Sequence, residues 1–277
     1  MAQMSAGKRL KSRLRNWVLY RWAVPLVNRE LKQGGVSLYR YIAATDRLFP
    51  YKALTETALS PKGDILSDRW YKALQPRQLR GKVAFDVGVN YGYTSAWISH
   101  WADQVYTFEP NPNNAAMIRE QLRIRQIDNV EHIPTAISDH QGEGVLHLKS
   151  FDGHHSLGDI GASSTVGTMR VPVTTLDCFA ETRGINRVSL LKIDVEGFEP
   201  EVLRGARGLL STRAIDLILF ECSPRFYRQR GIDPLAPLAV LEEYGYQART
   251  LRGDPLDLGF VRTKDQIDLL AEPAPES

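Results

Sequence analysis

A chain of 277 residues, 43% hydrophobic and 24% charged, is long enough to bury a full core and has an ordinary globular composition. Its two cysteines, Cys178 and Cys222, exclude a disulfide framework and show no metal-ligand spacing; they suit a reducing compartment and read as small core residues. The net charge of +3 conceals an asymmetry, because residues 1–80 carry 16 Lys+Arg against 5 Asp+Glu, so the first part of the chain is basic and the rest acidic. A basic segment of this kind meets an anionic partner, such as a membrane surface or a phosphorylated acceptor, or else docks on the acidic body of its own chain.

Residues 1–15 are polar and basic. Asn16 to Val27 is apolar but too short to span a bilayer and is broken by Arg21 and Pro25. No cleavage site for a signal peptide follows. The segment reads as an amphipathic helix whose Trp17, Leu19, Tyr20 and Trp22 pack on the main domain or touch a membrane interface, which makes residues 1–27 the candidate for peripheral membrane contact. Gly34-Gly35 breaks the pattern, and helical stretches follow at 36–48 and 51–59. The chain divides into a basic helical extension at 1–65, a main domain at 66–265 and a tail at 266–277.

From Gly81 onward strand and helix patterns alternate, which predicts a parallel sheet covered on both faces. Strands are expected at 83–87, 104–109, 130–134, 189–194 and 215–221, with a closing pair at 247–251 and 259–262. Helices are expected at 94–101, 115–125, 176–182, 200–210 and 235–244. Two extended segments, 145–149 and 169–174, flank a loop rich in Gly, Ser and His.

The chemistry collects at the strand ends, where open α/β sheets bind ligands. The first strand runs into Asp86, Gly88, Asn90 and Gly92, and the glycines allow close backbone approach at a helix N-terminus. A carboxylate inside that turn repels a pyrophosphate and suits an ammonium or a sulfonium. Glu109 ends the second strand, before Pro110, where an acid can accept from both hydroxyls of a ribose or simply cap a helix. In Ala136-Ile137-Ser138-Asp139, Asp139 can reach an adenine amine while Ile137 covers the ring; an ordinary loop explains the segment almost as well. Asp194 and Glu196 leave the fourth strand on one face, and Glu221 ends the fifth. Three acids can hold a divalent cation, yet no histidine or asparagine stands beside them, and the reading is of no metal.

Taken as a set, Phe85-Asp86-Val87-Gly88-Val89-Asn90-Tyr91-Gly92, Phe108-Glu109-Pro110-Asn111, Ala136-Ile137-Ser138-Asp139, Thr175-Leu176-Asp177, Leu191-Lys192-Ile193-Asp194-Val195-Glu196-Gly197-Phe198-Glu199, Leu203-Arg204-Gly205-Ala206 and Phe220-Glu221 resemble the FkbM-like S-adenosylmethionine-dependent methyltransferases. Val89 departs from that pattern, which usually has alanine there. The resemblance implies a Rossmann-like α/β fold with a seven-stranded sheet whose last strand is antiparallel. It also implies O-methylation of a hydroxyl on a sugar, glycolipid, polysaccharide or polyketide.

The cofactor set so implied is Asp86, Gly88, Asn90, Gly92, Tyr93, Thr94, Glu109, Pro110, Ala136, Ile137, Ser138, Asp139 and Asp194, with S-adenosylmethionine as donor and S-adenosylhomocysteine as product. Asp194 is expected to position the methionine ammonium. The proton acceptor is expected among Glu196, Glu221, His154 and His155, the histidines having the better unperturbed pKa. Gly161-Ala162-Ser163-Ser164-Thr165 is expected to close over the acceptor. A small-molecule, glycan or glycolipid acceptor, no nucleic acid, a cytoplasmic location at or near the inner face of the membrane, and room for a homodimer complete the expectation. Two other readings compete: a nicotinamide-dependent dehydrogenase sharing the glycine loop, and a non-catalytic membrane adaptor using the basic segment.

Overall fold

The structure, a computed structural model, describes Trp70 and residues 73–74, 82–90, 92–149, 156–158 and 165–275. The basic extension at 1–65, with its proposed membrane contact at 1–27, lies outside the described residues, as do His154, His155 and the loop 161–164. The chain falls into two compact units, Met1–Lys72 and Ala73–Ser277. Among the described residues no helix is long and apolar enough to cross a membrane.

Strand β1 (Val83–Val87) is apolar and nearly all buried, as a strand covered on two faces must be. It leads through a tight loop into α1 (Tyr93–Ile98), which starts after Gly92 in the left-handed region. Next come β2 (Gln104–Phe108), α2 (Pro112–Arg125) and β3 (Val130–Ile133). Pro112 opens α2, where its missing N–H costs nothing. A three-stranded sheet follows, made of β4 (Ala136–Ile137), β5 (Gly142–Lys149) and β6 (Thr165–Thr174) in the order β4-β6-β5. The chain then returns through α3 (Leu176–Arg183), β7 (Leu190–Ile193), α4 (Glu199–Arg204), α5 (Arg207–Ser211), β8 (Ile218–Cys222), α6 (Pro224–Gln229), α7 (Ala236–Glu243), β9 (Tyr246–Thr250), α8 (Leu258–Thr263) and β10 (Ile267–Pro273).

The main sheet has seven strands in the order β3-β2-β1-β7-β8-β10-β9. All neighbours are parallel except β10, which runs antiparallel to both β8 and β9. The expected seven-stranded architecture is therefore present, but one closing strand lies elsewhere. Residues 259–262 belong to α8, because the Asp257 carboxylate caps that helix by accepting from the Phe260 N–H at 3.0 Å. The seventh strand is instead β10, so most of the stretch expected as a tail sits inside the sheet.

The single helix expected over 200–210 is two helices. Asp177 donates its backbone N–H to the Gly205 carbonyl (3.0 Å) and accepts the Leu209 N–H on its carboxylate (3.0 Å). The i→i−4 bond that would join α4 to α5 is thereby replaced at both ends. A Cβ on Gly205 would lie 2.0 Å from the Ser138 carbonyl oxygen, so this break also seats the β4 loop. Beneath it, Phe85, Phe108 and Phe179 meet edge to face, with centroids 4.8–5.8 Å apart, in the main core.

Strand order reverses at β1, whose neighbours β2 and β7 lead to opposite sides of the sheet. The crevice above the carboxyl ends of β1 and β7 is where such sheets place their ligands.

Candidate active site

A cavity opens at that crevice. Its walls come from Val87, Gly88 and Asn90 at the end of β1, Phe108, Glu109 and Pro110 at the end of β2, and Asp194, Val195, Glu196 and Phe198 after β7. The small sheet contributes Ala136, Ile137 and Leu146, and the adjoining loop Ser156 and Leu157. It is partly open to solvent, and its lining is more apolar than polar, as in small-molecule sites generally.

The loop after β1 is shaped by close approach. Gly88 sits at φ 76°, and a Cβ there would lie 1.7 Å from the Asp194 carbonyl oxygen. Gly88 N–H donates to the Phe108 carbonyl at 3.1 Å, so one residue links the ends of β1, β2 and β7. Asn90 is also left-handed (φ 50°) and turns its N–H onto a Glu109 carboxylate oxygen at 2.9 Å. The other Glu109 oxygen accepts from the Asn111 N–H, also at 2.9 Å. Burial dominates at Glu109 and pushes its pKa up to about 7, against the donors Asn111, Asn90 and the Asn114 side chain.

Asp86 and Lys192 face each other in the β1–β7 register. Both side chains are essentially inaccessible, and the Lys192 ammonium lies 3.2 Å from Asp86 and 3.6 Å from Asp194 while donating to the Gly88 carbonyl at 2.7 Å. Ser95 donates to the second Asp86 oxygen at 2.6 Å. For Lys192 burial favours the neutral amine, yet Asp86 and Asp194 outweigh it and hold the pKa above the usual lysine value. Asp86 thus meets its cation within the chain. It is walled off from the cavity and does not by itself distinguish a sulfonium from a pyrophosphate. The expectation that it faces the ligand is corrected by this pairing.

At the rim the expected acids do converge: ligand atoms of Asp194, Glu196 and Glu221 all lie within 4.8 Å of one another. Glu221 accepts from Gln266 at 2.8 Å and from Ser223 at 3.4 Å. Burial first, then Asp194 and Glu196, push the Glu221 pKa well above the ordinary carboxylate range. Crowding of these acids thus favours a proton held within the cluster.

Of the residues expected to bind a cofactor, Gly88, Asn90, Glu109, Pro110, Ala136, Ile137 and Asp194 line the cavity. Gly92 caps α1, Tyr93 opens it and Thr94 lies within it. Ser138 is buried, its N–H bonded to the Thr174 carbonyl. Asp139 is turned outward to His140 (3.1 Å) and Arg204 (3.5 Å), not to the cavity. Burial would raise its pKa, but His140 and Arg204 together hold it below the usual value. Asp139 is not among the residues that line the cavity, although Ala136 and Ile137 just before it are. No role is expected for Lys192 or Asn114 from the sequence. A lysine between Leu191 and Ile193 was the available signal, since a buried cation requires a partner.

Comparison with known proteins adds a second line. The family model described as the methyltransferase FkbM domain matches residues 86–248, from Asp86 through β9. The chain belongs to the FkbM methyltransferase family. Two relatives are the hexuronic acid methyltransferase AglP of Haloferax volcanii, 28% identical over 58% of this chain and 62% of that protein, and the 2-O-methyltransferase NoeI of Sinorhizobium fredii, 26% identical over 66% and 80%. The match to AglP thus spans less than two thirds of that relative's length. Among solved structures, Streptococcus mutans SMU.1697c in complex with SAH superposes with a TM-score of 0.45 at 13% identity, over 74% of this chain and 96% of that one, too loosely to bear on function.

Two outcomes follow from this FkbM site. Lys192→Met leaves Asp86 buried without its cation and is expected to cost about 3–5 kcal/mol in urea denaturation, with the double variant Asp86→Leu/Lys192→Met recovering most of it; a double variant as unstable as the single would contradict the pairing. Gly88→Ala places a methyl against the Asp194 backbone and is expected to weaken S-adenosylhomocysteine binding at least about tenfold by calorimetry. Unchanged affinity would mean that this approach does not shape the ligand site.

Proposed function

We propose that this protein transfers the methyl group of S-adenosylmethionine to a hydroxyl of a sugar-type acceptor. The observation that carries the reading is the convergence of Gly88, Glu109 and the rim acids Asp194 and Glu196, from the ends of three adjacent strands, on one cavity with an apolar wall. The donor set suits an adenosyl sulfonium. Phe108, Ala136, Ile137 and Pro110 offer a dry face for adenine, Glu109 a carboxylate for ribose hydroxyls, and Asp194 a partner for an ammonium. Membership of the FkbM family and the names of AglP and NoeI support methyl transfer to a carbohydrate.

When bound, the cofactor supplies an electrophilic methyl group. The chain's own task is alignment, which for well-placed reactants contributes on the order of 7–11 kcal/mol. Gly88 lets the backbone approach, and Glu109 fixes the ribose end. A hydroxyl acceptor gains nucleophilicity as its proton leaves, and Glu196, buried at the rim and lining the cavity, is the base that this reading assigns. Glu221 is disfavoured for that step because burial and its acid neighbours raise its pKa, and His154 or His155 is the alternative carried by the sequence. The charge at the rim is moderated by Lys192, and no metal is invoked.

Hydroxyl donors favour ionised Glu109, so ribose binding lowers its pKa and releases a proton whenever the free enzyme holds one. Affinity for S-adenosylhomocysteine should therefore climb about tenfold from pH 6 to pH 8 and level off above the free-enzyme value of about 7. Calorimetry on the wild type and on Glu109→Gln checks this; a slope that persists in the variant would assign it to another group. Glu196→Gln is expected to lower kcat about 10²-fold in assays of S-adenosylhomocysteine release across a panel of neutral saccharides. Full kcat in that variant would remove Glu196 from the role.

A further inference from the structure

The turn that carries Glu196 is held from beneath by a carboxylate that the chemistry above leaves idle. Glu196 adopts φ 52°, a left-handed conformation that costs a non-glycine residue about 1–3 kcal/mol, and Gly197 follows at φ 94°. On either side of it, the N–H groups of Val195 (3.2 Å) and Gly197 (3.1 Å) both donate to one oxygen of Glu199. The other Glu199 oxygen accepts from the Tyr227 hydroxyl at 2.6 Å, and that hydroxyl in turn accepts from the Ser223 N–H at 3.1 Å. Glu199 and Tyr227 are both wholly buried.

The direction of these bonds matters. Glu199 opens α4, and a residue that caps a helix satisfies N–H groups further along that helix. Glu199 reaches backwards, to two N–H groups outside α4, so its carboxylate fixes the turn. Tyr227 belongs to α6, so the pair ties the loop after β7 to the segment after β8 that carries Ser223. Arg230 closes the other flank. Its guanidinium donates to the Gly197 carbonyl and to Glu201, and it stacks 3.7 Å over the ring of Phe198, which lines the cavity.

We propose that Glu199, backed by Tyr227, is a positioning residue that holds Glu196 in its left-handed turn and so keeps its carboxylate on the acceptor side of the cavity. The inference rests on the reading of Glu196 as the base. Without the two N–H anchors, the turn loses two of the bonds that hold residue 196 against its preference for the right-handed region, and its side chain swings with the backbone. The contacts at Gly88, Glu109 and Ile137 come from other strands and stay in place.

A double-mutant cycle in the full chain tests this, using initial rates of transfer to a neutral saccharide together with the dissociation constant for S-adenosylhomocysteine. Glu199→Met, which keeps the length of the side chain and removes both acceptor oxygens, should lower kcat about 10–100-fold while leaving that dissociation constant within about threefold. In the Glu196→Gln background the same change should cost less than about threefold more, because the group it positions is already gone. Tyr227→Phe, which keeps the ring and removes only the hydroxyl, gives a second cycle if Glu199→Met does not fold. Its kcat should fall about 3–10-fold and its effect should likewise vanish in the Glu196→Gln background.

Losses that multiply in the double variants, or a loss of kcat matched by a loss of cofactor affinity, would overturn the positioning role while leaving Glu196 as base. Full kcat in Glu196→Gln alone would overturn the base and this inference with it. Both kinds of failure are thus read from the same set of proteins.

Discussion

The site depends on one buried ion pair. Lys192 stands in the middle of β7, opposite Asp86 of β1, with neither side chain reaching solvent. A buried pair of this kind contributes little net stability, since desolvation offsets most of the attraction. It does fix geometry. The Lys192 ammonium also draws in the Gly88 carbonyl and Asp194, so it binds the loop after β1 to the loop after β7 where the sheet order reverses. Gly88 completes the arrangement because only a residue without a Cβ can lie against the Asp194 carbonyl. The crevice exists because these two loops are pinned at that spacing.

Around this point the acids divide by environment. Asp86 is spent inside the sheet, while Glu109 keeps two backbone donors and an opening onto the cavity. Glu221, buried and crowded by Asp194 and Glu196, has its pKa raised, and Glu199 is given over to the turn beneath Glu196. Carboxylates of the same chemistry thus take different roles according to what surrounds each one. The left-handed backbone at Glu196 belongs to the same pattern, since strain of that kind survives only where neighbouring contacts hold it.

Much of this was legible before the fold was known. The β1 loop, the acid after β2 and the Asp194-Val195-Glu196 run declared themselves because strand ends in such sheets gather ligand-binding residues. What escaped was whatever depends on register or on contacts between distant segments. Asp86 looked like a partner for a cationic ligand because its own cation lies more than a hundred residues away in the chain. Asp139 followed a strand-like segment, but that segment joined the small sheet and left the acid to Arg204 and His140. The last strand was placed too early for a local reason: Asp257 caps a helix over the residues read as that strand. The Asp257-to-Phe260 spacing was a readable cap signal.

The central claim is that this cavity moves a methyl group to a hydroxyl, and labelled transfer tests it most directly. With S-adenosylmethionine carrying a labelled methyl group and a panel of saccharides as acceptors, the label should appear on carbohydrate in step with S-adenosylhomocysteine. It should survive mild alkali, as a methyl ether does, and should be lost with Glu196→Gln. Label that mild alkali removes would point to a methyl ester on a carboxylate acceptor, and no label on any saccharide would contradict the account as a whole.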